Sequence, residues 1–270
     1  MMYWACGAGE ASLNWDTPAT LVMAMAKAGN GVDLTREEVI ARLAAAQNHV
    51  GRRRGSGAAI RQMLHDDTPL DAPVDALAGA PAANRRGDHD LNDADMRPNP
   101  PLVPAAVLVP LVERDDGYTV LLTQRSADLS KHAGQISFPG GRIEDDDGTP
   151  ELAALREAEE EIGLTSDFVD IIGDLDIYEV RTGFEVFPVV GLVRTGFDLK
   201  LDHGEVADVF EVPLSFVLDP GNHHRQGRTF YGRMRYFYVL PFEDRYIWGA
   251  TAGMLINLYE VLSGDKAAWR

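Results

Sequence analysis

The chain has little cysteine, little positive charge and no long hydrophobic run, and each shortage excludes a class of protein. Cys6 is the only cysteine in 270 residues, so no internal disulfide is available, as expected in a reducing compartment. Lysine and arginine number 25 against 42 aspartates and glutamates, giving a net charge of −17. That charge disfavours nucleic acid and anionic membrane surfaces as partners. No stretch approaches the roughly 18 consecutive apolar residues that a transmembrane helix needs.

The beginning of the chain also lacks the features of an exported protein. Residues 1–15 have neither the basic start nor the long apolar run of a signal peptide, so we expect a cytoplasmic protein. One basic cluster, Arg52–Arg54, is short and flanked by glycine and serine, which is typical of a solvated loop. The sequence leaves the formation of a homodimer open.

Residues 1 to about 100 differ from the rest of the chain in composition and in the pattern of their apolar residues. The capping-box pattern at Thr35–Glu38 predicts a helix that continues through Val39–Ala44. A second short helix is predicted at 58–64. Residues 66–101 are rich in proline, alanine, aspartate, asparagine and glycine, which predicts a long loop or linker.

From Leu102 onwards the sequence reads as alternating strands and helices. A continuous apolar run at 104–112 predicts a buried strand, and an Asp-Gly turn within 113–117 predicts that the chain returns as a hairpin. Further strands are predicted at 118–124, 169–173, 176–180, 186–193 and 209–212, with two more in 229–240 joined at Gly232–Arg233, and helices at 150–162, 214–218 and 251–262. This order indicates the α+β class, with helices packed on a mixed sheet.

The helix predicted at 150–162 has well-marked ends and an acidic face. Thr149 suits the N-cap, proline suits the first helical position, and Gly163 suits the C-terminal cap. A helical wheel of this segment places Leu155 and its apolar neighbours on the side opposite the acidic residues, and it places Glu159 nearer the apolar side. An acidic, exposed surface turn is predicted before the helix at Asp145–Gly148, and it lacks the ligand spacing of a calcium loop.

Three glutamates of this helix, Glu157, Glu160 and Glu161, share one face, since residues three and four apart are surface neighbours. Like charges so placed cost roughly 0.2–0.5 kcal/mol per pair, so a cation is expected among them. Many acidic faces are merely solvated, but here a Gly-Gly pair lies close by, and the carbonyl of Gly140 is a further candidate ligand. Oxygen ligands suit Mg²⁺ or Mn²⁺, the usual ions of phosphate chemistry.

Gly141 and the segment Arg156–Leu164, which reads REAEEEIGL, resemble the signature of the Nudix hydrolases. That signature is G-x5-E-x7-R-E-U-x-E-E-x-G-U, where U is a large apolar residue. Its second half matches except for Ala158. In the first half Asp147 replaces a glutamate, and one extra residue lies between it and Arg156.

The aspartate and the extra residue resemble one branch of that family, the coenzyme A pyrophosphatases. This branch carries an upstream motif, L-L-T-x-R-S-x3-R-x3-G-x3-F-P-G-G. The chain matches it from Leu121 to Gly141 at every fixed position except Ser130, where the motif has arginine. Lys131 or His132 is a candidate for supplying the missing positive charge.

The resemblance implies a Nudix-type α/β/α sandwich with a mixed central sheet over residues 101–265. Residues 1–100 would form a partly helical N-terminal extension. The implied activity is metal-dependent hydrolysis of the pyrophosphate bond of coenzyme A, with acyl-CoA as a further substrate. The products would be adenosine 3′,5′-bisphosphate and 4′-phosphopantetheine. Ser130 leaves open another nucleoside diphosphate derivative, such as ADP-ribose or a dinucleotide. A non-catalytic, nucleotide-sensing Nudix module is the second alternative.

By position in the signature, Glu157 and Glu161 match the principal metal ligands of the family. Glu160 is either a third ligand or the group that handles the proton of the attacking water. Arg156 orients the glutamates, or is an ordinary i,i+4 partner. Glu205 is a candidate general base, or a helix N-terminal glutamate favoured by the dipole.

Candidate substrate contacts lie outside the signature. Arg125 either holds phosphate or is a structural surface arginine, and Arg181 either reaches phosphate or lies in a solvated loop. His132 is a candidate contact or a loop histidine. Ser126 and Gln135 complete this set of candidates for a CoA-like small-molecule substrate.

Overall fold

A computed structural model of the protein describes residues 34–48, 85–92, 97–127, 133–230 and 232–266. The predicted helix at 58–64, the basic cluster at Arg52–Arg54 and Cys6 lie outside these described residues. Within them, no helix is long and apolar enough to cross a membrane.

The strands of the described residues are, in chain order, β1 (Arg85–Gly87), β2 (Val103–Arg114), β3 (Gly117–Arg125), β4 (Ile136–Ser137), β5 (Gly140–Arg142), β6 (Val169–Asp174), β7 (Ile177–Val180), β8 (Phe184–Val193), β9 (Val206–Pro213), β10 (His224–Phe230), β11 (Arg233–Phe242) and β12 (Arg245–Trp248). The helices are α1 (Arg36–Asn48), α2 (Pro150–Ile162), α3 (Leu214–Val217) and α4 (Gly249–Ser263).

The nine strands β1–β9 form one mixed sheet. Its main path runs β1-β7-β8-β2-β3-β4, and β5, β6 and β9 pair with β2, β8 and β3 respectively. The β1–β7 and β2–β8 pairs are parallel, whereas the other pairs are antiparallel. Strands β10–β12 form a separate antiparallel sheet. The predicted α+β class with a mixed sheet is confirmed.

Helices cover both faces of the large sheet. Side chains alternate between faces along a strand, so Leu121 packs in one core while Val120 and Leu122 pack in the other. The Leu121 core contains the apolar side of α2, and the other core contains α1 and α4. The sheet is therefore the middle layer of a three-layer sandwich.

The predicted helix ends agree with the structure at both places where the sequence indicates caps. The side chain of Thr149 accepts the Leu152 backbone N–H at 3.3 Å, and Gly163 ends α2 in the left-handed conformation. At α1, the Thr35 backbone N–H donates to Glu38 Oε2 at 2.8 Å, and Thr35 Oγ1 accepts the Glu38 N–H at 3.2 Å. Local capping chemistry thus fixes both starts.

The prediction of a long loop or linker at 66–101 is wrong for residues 85–91, whereas residues 66–84 and 93–96 lie outside the described residues. Strand β1 and a short 3₁₀ turn at Asp88–Leu91 lie inside it. Arg86 is buried there, donating to Asp176 at 2.6 Å and to Glu260 of α4 at 2.5 Å. Charged pairs hold this edge strand in place, so it carries no apolar pattern that the sequence could reveal. The domain boundary near residue 100 stays a prediction.

The C-terminal part contains more strand than predicted. The two strands expected in 229–240 are present as β10 and β11, but β10 begins earlier and β11 ends later. Strand β12 was missed, because its four residues end directly at α4, which begins at Gly249. Strands β4 and β5 lie in a segment whose sequence indicates loop and turn.

We predict that Arg86→Met destabilises the protein by about 3–5 kcal/mol, because it leaves the buried Glu260 carboxylate without its guanidinium partner. Arg36→Met is the matched control, since Arg36 also bridges two carboxylates but is 36% exposed. It should cost less than about 1 kcal/mol. Urea unfolding at pH 7 measures both values, and equal losses would contradict the structural importance of β1.

Candidate active site

The acidic face of α2 lies against β5 because two glycines allow a close approach. A Cβ atom on Gly141 would fall 2.5 Å from the Glu157 carboxylate carbon, and one on Gly140 would fall 2.4 Å from the Ala106 carbonyl oxygen. The Gly140 backbone N–H donates to Glu161 Oε2 at 3.2 Å. The paired glycines therefore seat two of the three glutamates directly on the backbone of the sheet.

Burial and mutual repulsion raise the pKa values of these glutamates. Burial is the main cause for Glu161, whose pKa rises to about 7 although the Gly140 N–H and Arg125 favour its charged form. The pKa of Glu157 is also raised, first by burial and further by Glu160 and Glu205. Glu157 and Glu205 likewise disfavour the charged form of Glu161. Glu157, Glu161 and Glu205 therefore repel one another at this place, and Glu160 repels Glu157 as well.

Arg156 connects the turn before α2 to the glutamates. Its guanidinium donates to both carboxylate oxygens of Asp147, at 2.7 and 2.9 Å, and to Glu157 and Glu160, each at 3.0 Å. Burial opposes the charged form of Asp147, but the hydrogen bonds from Arg156 and from the Glu144 backbone lower its pKa. The same contacts raise the pKa of Arg156 further above its ordinary value.

Two details of the acidic face correct the expectations from the sequence. Asp147 is buried, so the Asp145–Gly148 segment is not simply a surface turn. Glu159 is exposed rather than close to the apolar side, since Ala158 and Ile162 occupy the buried side beside it. The three site glutamates differ as well: the Glu161 side chain is 5% exposed and that of Glu160 is 60% exposed.

The structure brings Arg125 and Glu205 next to this face, and backbone hydrogen bonds join Gln135 and Ser126 to them. Arg125 Nη1 lies 3.7 Å from Glu161 Oε1. The Arg125 backbone N–H donates to the Gln135 carbonyl at 2.9 Å, and the Ser126 N–H donates to the Glu205 carbonyl at 2.8 Å. Glu205 lies in a turn before β9, not at a helix N-terminus.

The remaining candidates are not brought to the glutamates by any described contact. Ser130, Lys131 and His132 lie outside the described residues. Arg181 is exposed in the turn between β7 and β8, and its charge acts on Asp88 at the far edge of the sheet. Their predicted roles in substrate binding stay predictions.

A divalent cation fits the chemistry of this cluster. The donors are oxygens only, the Glu161 carboxylate is buried, and its neighbours repel it, so a cation would remove an electrostatic cost. Among the residues that the structure describes, however, no three His, Cys, Asp or Glu side chains are grouped tightly enough to hold a metal as they stand. Arg156 binds Glu157 and Glu160 instead, so coordination requires these carboxylates to reorient.

Comparison with known proteins identifies the family. A family model of the NUDIX domain matches residues 102–232. The uncharacterized Nudix hydrolase NudL of Cronobacter sakazakii is 42% identical over 154 residues, which are 57% of this chain and 80% of that protein. The chain belongs to the Nudix hydrolase family. The NudL protein of Escherichia coli K12 is 41% identical over the same shares.

Nudix hydrolases act on small-molecule nucleoside diphosphate derivatives and generally need divalent metal ions. Similar solved structures include an Ap4A hydrolase of C. elegans, which is 24% identical, has a TM-score of 0.36, and covers 42% of this chain and 81% of that chain. The NUDIX domain of Shewanella oneidensis NrtR, complexed with ADP ribose, is 21% identical with a TM-score of 0.35, and the match covers 44% of this chain and 78% of that chain. Likenesses at these TM-scores carry no functional argument.

Asp202, which is not among the candidates from the sequence, holds the turn that carries Glu205 to this Nudix site. The Asp202 backbone N–H donates to the Glu161 carbonyl, and the Asp202 carbonyl accepts the Glu205 N–H, each at 2.9 Å. The Asp202 side chain accepts the Gly204 N–H at 2.8 Å. The Asp-x-Gly spacing at 202–204 is the one sequence signal for this turn.

We predict that Glu161 makes the metal-free protein less stable as the pH rises. Its pKa is about 7 in the folded protein, against an ordinary value of 4.5. The stability from its protonated form is therefore complete below about pH 4.5 and is lost as the pH rises through about 7. The loss is about 3 kcal/mol.

Unfolding of the parent and Glu161→Gln proteins in EDTA, from pH 5 to pH 8, measures this effect. The difference in unfolding free energy between them should shift by about that amount in favour of Glu161→Gln. Glu159→Gln, which removes an exposed carboxylate of the same helix, should show no such shift. A pH-independent difference for Glu161→Gln would contradict the assignment.

Proposed function

We propose that this Nudix hydrolase cleaves the pyrophosphate bond of coenzyme A. The products are adenosine 3′,5′-bisphosphate and 4′-phosphopantetheine, and acyl-CoA is a further substrate. Support comes from the two motifs, Leu121–Gly141 and Arg156–Leu164, and from the contact that joins them, in which Arg125 lies beside Glu161.

The observation that carries this proposal is the ion pair between Asp147 and Arg156. The CoA-type signature departs from the general one by this aspartate and by one extra residue before the arginine. In the structure the aspartate is buried and forms a two-pronged pair with Arg156. This pair supports the proposal, because it holds in place the guanidinium that also donates to Glu157 and Glu160.

We assign the site residues as follows. Glu157 and Glu161 would hold Mg²⁺ or Mn²⁺, with Glu160 and the Gly140 carbonyl as further oxygen ligands. Such an ion would supply positive charge against the diphosphate and would lower the pKa of an attacking water. Glu205 accepts the proton of that water, and Glu160 is the alternative acceptor.

Binding of the diphosphate falls to residues on the β3 side of the site. Arg125 contacts a phosphate oxygen, and Ser126 and Gln135 line the same end of β3. His132 and Arg181 are the remaining candidates for contacts with the rest of the substrate. A cation on the glutamates and the Arg125 guanidinium close to it would together suit a leaving group that gains negative charge.

We predict that Glu157→Gln and Glu161→Gln each lower kcat by roughly 10²- to 10³-fold, because each removes a charged ligand of the ion that stabilises the transition state. Glu159→Gln alters the same helix without touching the site and should retain near-parental kcat. Circular dichroism should show that all three variants are folded. Near-normal turnover in both site variants would reject the metal assignment.

The substrate is tested by incubating the protein with Mg²⁺ or Mn²⁺ and one candidate at a time: CoA, an acyl-CoA, ADP-ribose or a dinucleotide. Mass spectrometry of the products should detect adenosine 3′,5′-bisphosphate with CoA, and kcat/KM should be largest for CoA or its acyl derivative. A preference for ADP-ribose would overturn the CoA assignment while leaving the diphosphatase reaction intact. Binding without turnover of any candidate would favour a nucleotide sensor.

A further inference from the structure

Arg245, in the small C-terminal sheet, reaches across to the large sheet. It is the first residue of β12 and lies outside the segment matched by the family model. Its guanidinium donates to Gln124 Oε1 of β3 and to Asp208 Oδ2 of β9, each at 2.5 Å. One side chain therefore holds groups on two neighbouring strands at once.

These two partners of Arg245 lie at an irregularity in the pairing of β3 with β9. Gln124 and Asp208 lie directly opposite each other and form the last regular pair of β3 and β9 before the register shifts. Beyond the shift Arg125 lies opposite Val206, so Ala207 is the extra residue of a bulge. Bulges redirect the side chains next to them and are common beside active sites.

Two candidate site residues leave the sheet at this bulge. Arg125 follows Gln124 directly and approaches Glu161. Glu205 directly precedes Val206, the strand residue beyond the bulge, and its carbonyl accepts the Ser126 N–H. The direction of both side chains therefore depends on how the two strands are held at the Gln124–Asp208 pair.

The contacts of Arg245 hold the Gln124–Asp208 pair in one geometry. Its guanidinium also lies over the Phe210 ring of β9, with Cζ 4.6 Å from the ring centroid, and it is 24% exposed. Asp244, its neighbour, is 3.5 Å from Nε. A planar fork that binds two acceptors and stacks on a ring has a fixed orientation, which a lysine cannot reproduce.

We propose that Arg245 is a positioning residue for the active site: by joining Gln124 to Asp208 at the β3–β9 bulge, it sets the directions of Arg125 and Glu205. Its effect on catalysis rests on the proposed diphosphatase function, whereas its effect on the bulge does not. The small C-terminal sheet thereby takes part in the reaction without contacting the substrate.

Arg245→Met should lower kcat/KM by roughly 10- to 100-fold, since a displacement of about 1 Å in a reacting group has an effect of that order. Arg245→Lys should fail to restore activity. Arg114→Met is the matched control. Arg114 also pairs with a β9 carboxylate, Glu211, and lies over a phenylalanine ring, but at the opposite end of β9. The Arg114→Met variant should retain the parental kcat/KM although its melting temperature falls by about as much as that of Arg245→Met.

A double-mutant comparison separates positioning from general destabilisation. In a Glu205→Gln background, Arg245→Met should reduce kcat far less than in the parent, because the residue that it positions is already disabled. The positioning role is overturned if the effects of the two substitutions on kcat and on KM multiply as for independent sites. It is also overturned if Arg245→Met keeps kcat/KM within twofold of the parent.

An experiment without turnover keeps the inference testable if the protein proves not to be a diphosphatase. Amide hydrogen exchange should accelerate at Ser126 in Arg245→Met, since its N–H bonds to Glu205 across the bulge. Exchange near Thr119, at the other end of the strand pair, should stay unchanged, and Arg114→Met should give the reverse pattern. Unchanged exchange at Ser126 in a folded Arg245→Met protein would refute the inference, whatever the activity.

Discussion

The distance between helix α2 and strand β5 is the constraint on which the site depends. The Glu157 carboxylate occupies the space that a side chain at position 141 would need, and Glu161 accepts a hydrogen bond from the backbone of Gly140. A larger residue at position 141 would displace the Glu157 carboxylate, and one at position 140 would clash with the backbone of β2 at Ala106 and Val107. The signature glycines are thus structural requirements of the carboxylate geometry, in addition to any role towards a ligand.

Electrostatics adds a second requirement, because this close approach buries negative charge. The protein compensates for it unevenly. Arg156 forms ion pairs with the carboxylates of Asp147, Glu157 and Glu160, whereas Glu161 receives from the described residues a backbone N–H hydrogen bond and the charge of a more distant arginine. Burial with this smaller compensation raises the pKa of Glu161 strongly. A divalent ion at this place would complete a neutralisation that the side chains leave partial.

Much of the fold follows from local sequence patterns. Apolar runs and a hairpin turn identify β2 and β3, and capping residues fix the start of α2 to the residue. The helical period and the signature together place the three glutamates on one face of α2. These features can be predicted because each depends on neighbours a few positions away along the chain.

Other features escape sequence reasoning because their causes are distant in the chain. Strand β1 is held by ion pairs to residues about 90 and 174 positions later, so its own sequence reads as loop. Arg245 looks like an ordinary surface arginine until the pairing of β3 with β9 places Gln124 beside Asp208. The expectation that Asp147 is exposed is wrong, since its burial depends on the guanidinium that covers it.

The ion pairs of Arg86 also impose an order on folding. The ribosome synthesises strand β1 before its parallel partner β7, and 174 residues separate Arg86 from the Glu260 carboxylate of α4. A contact between such distant segments closes a very long loop, so it forms late and slows folding. The edge of the sheet that β1 covers is consequently open on the nascent chain, where a chaperone or a second nascent chain can reach it.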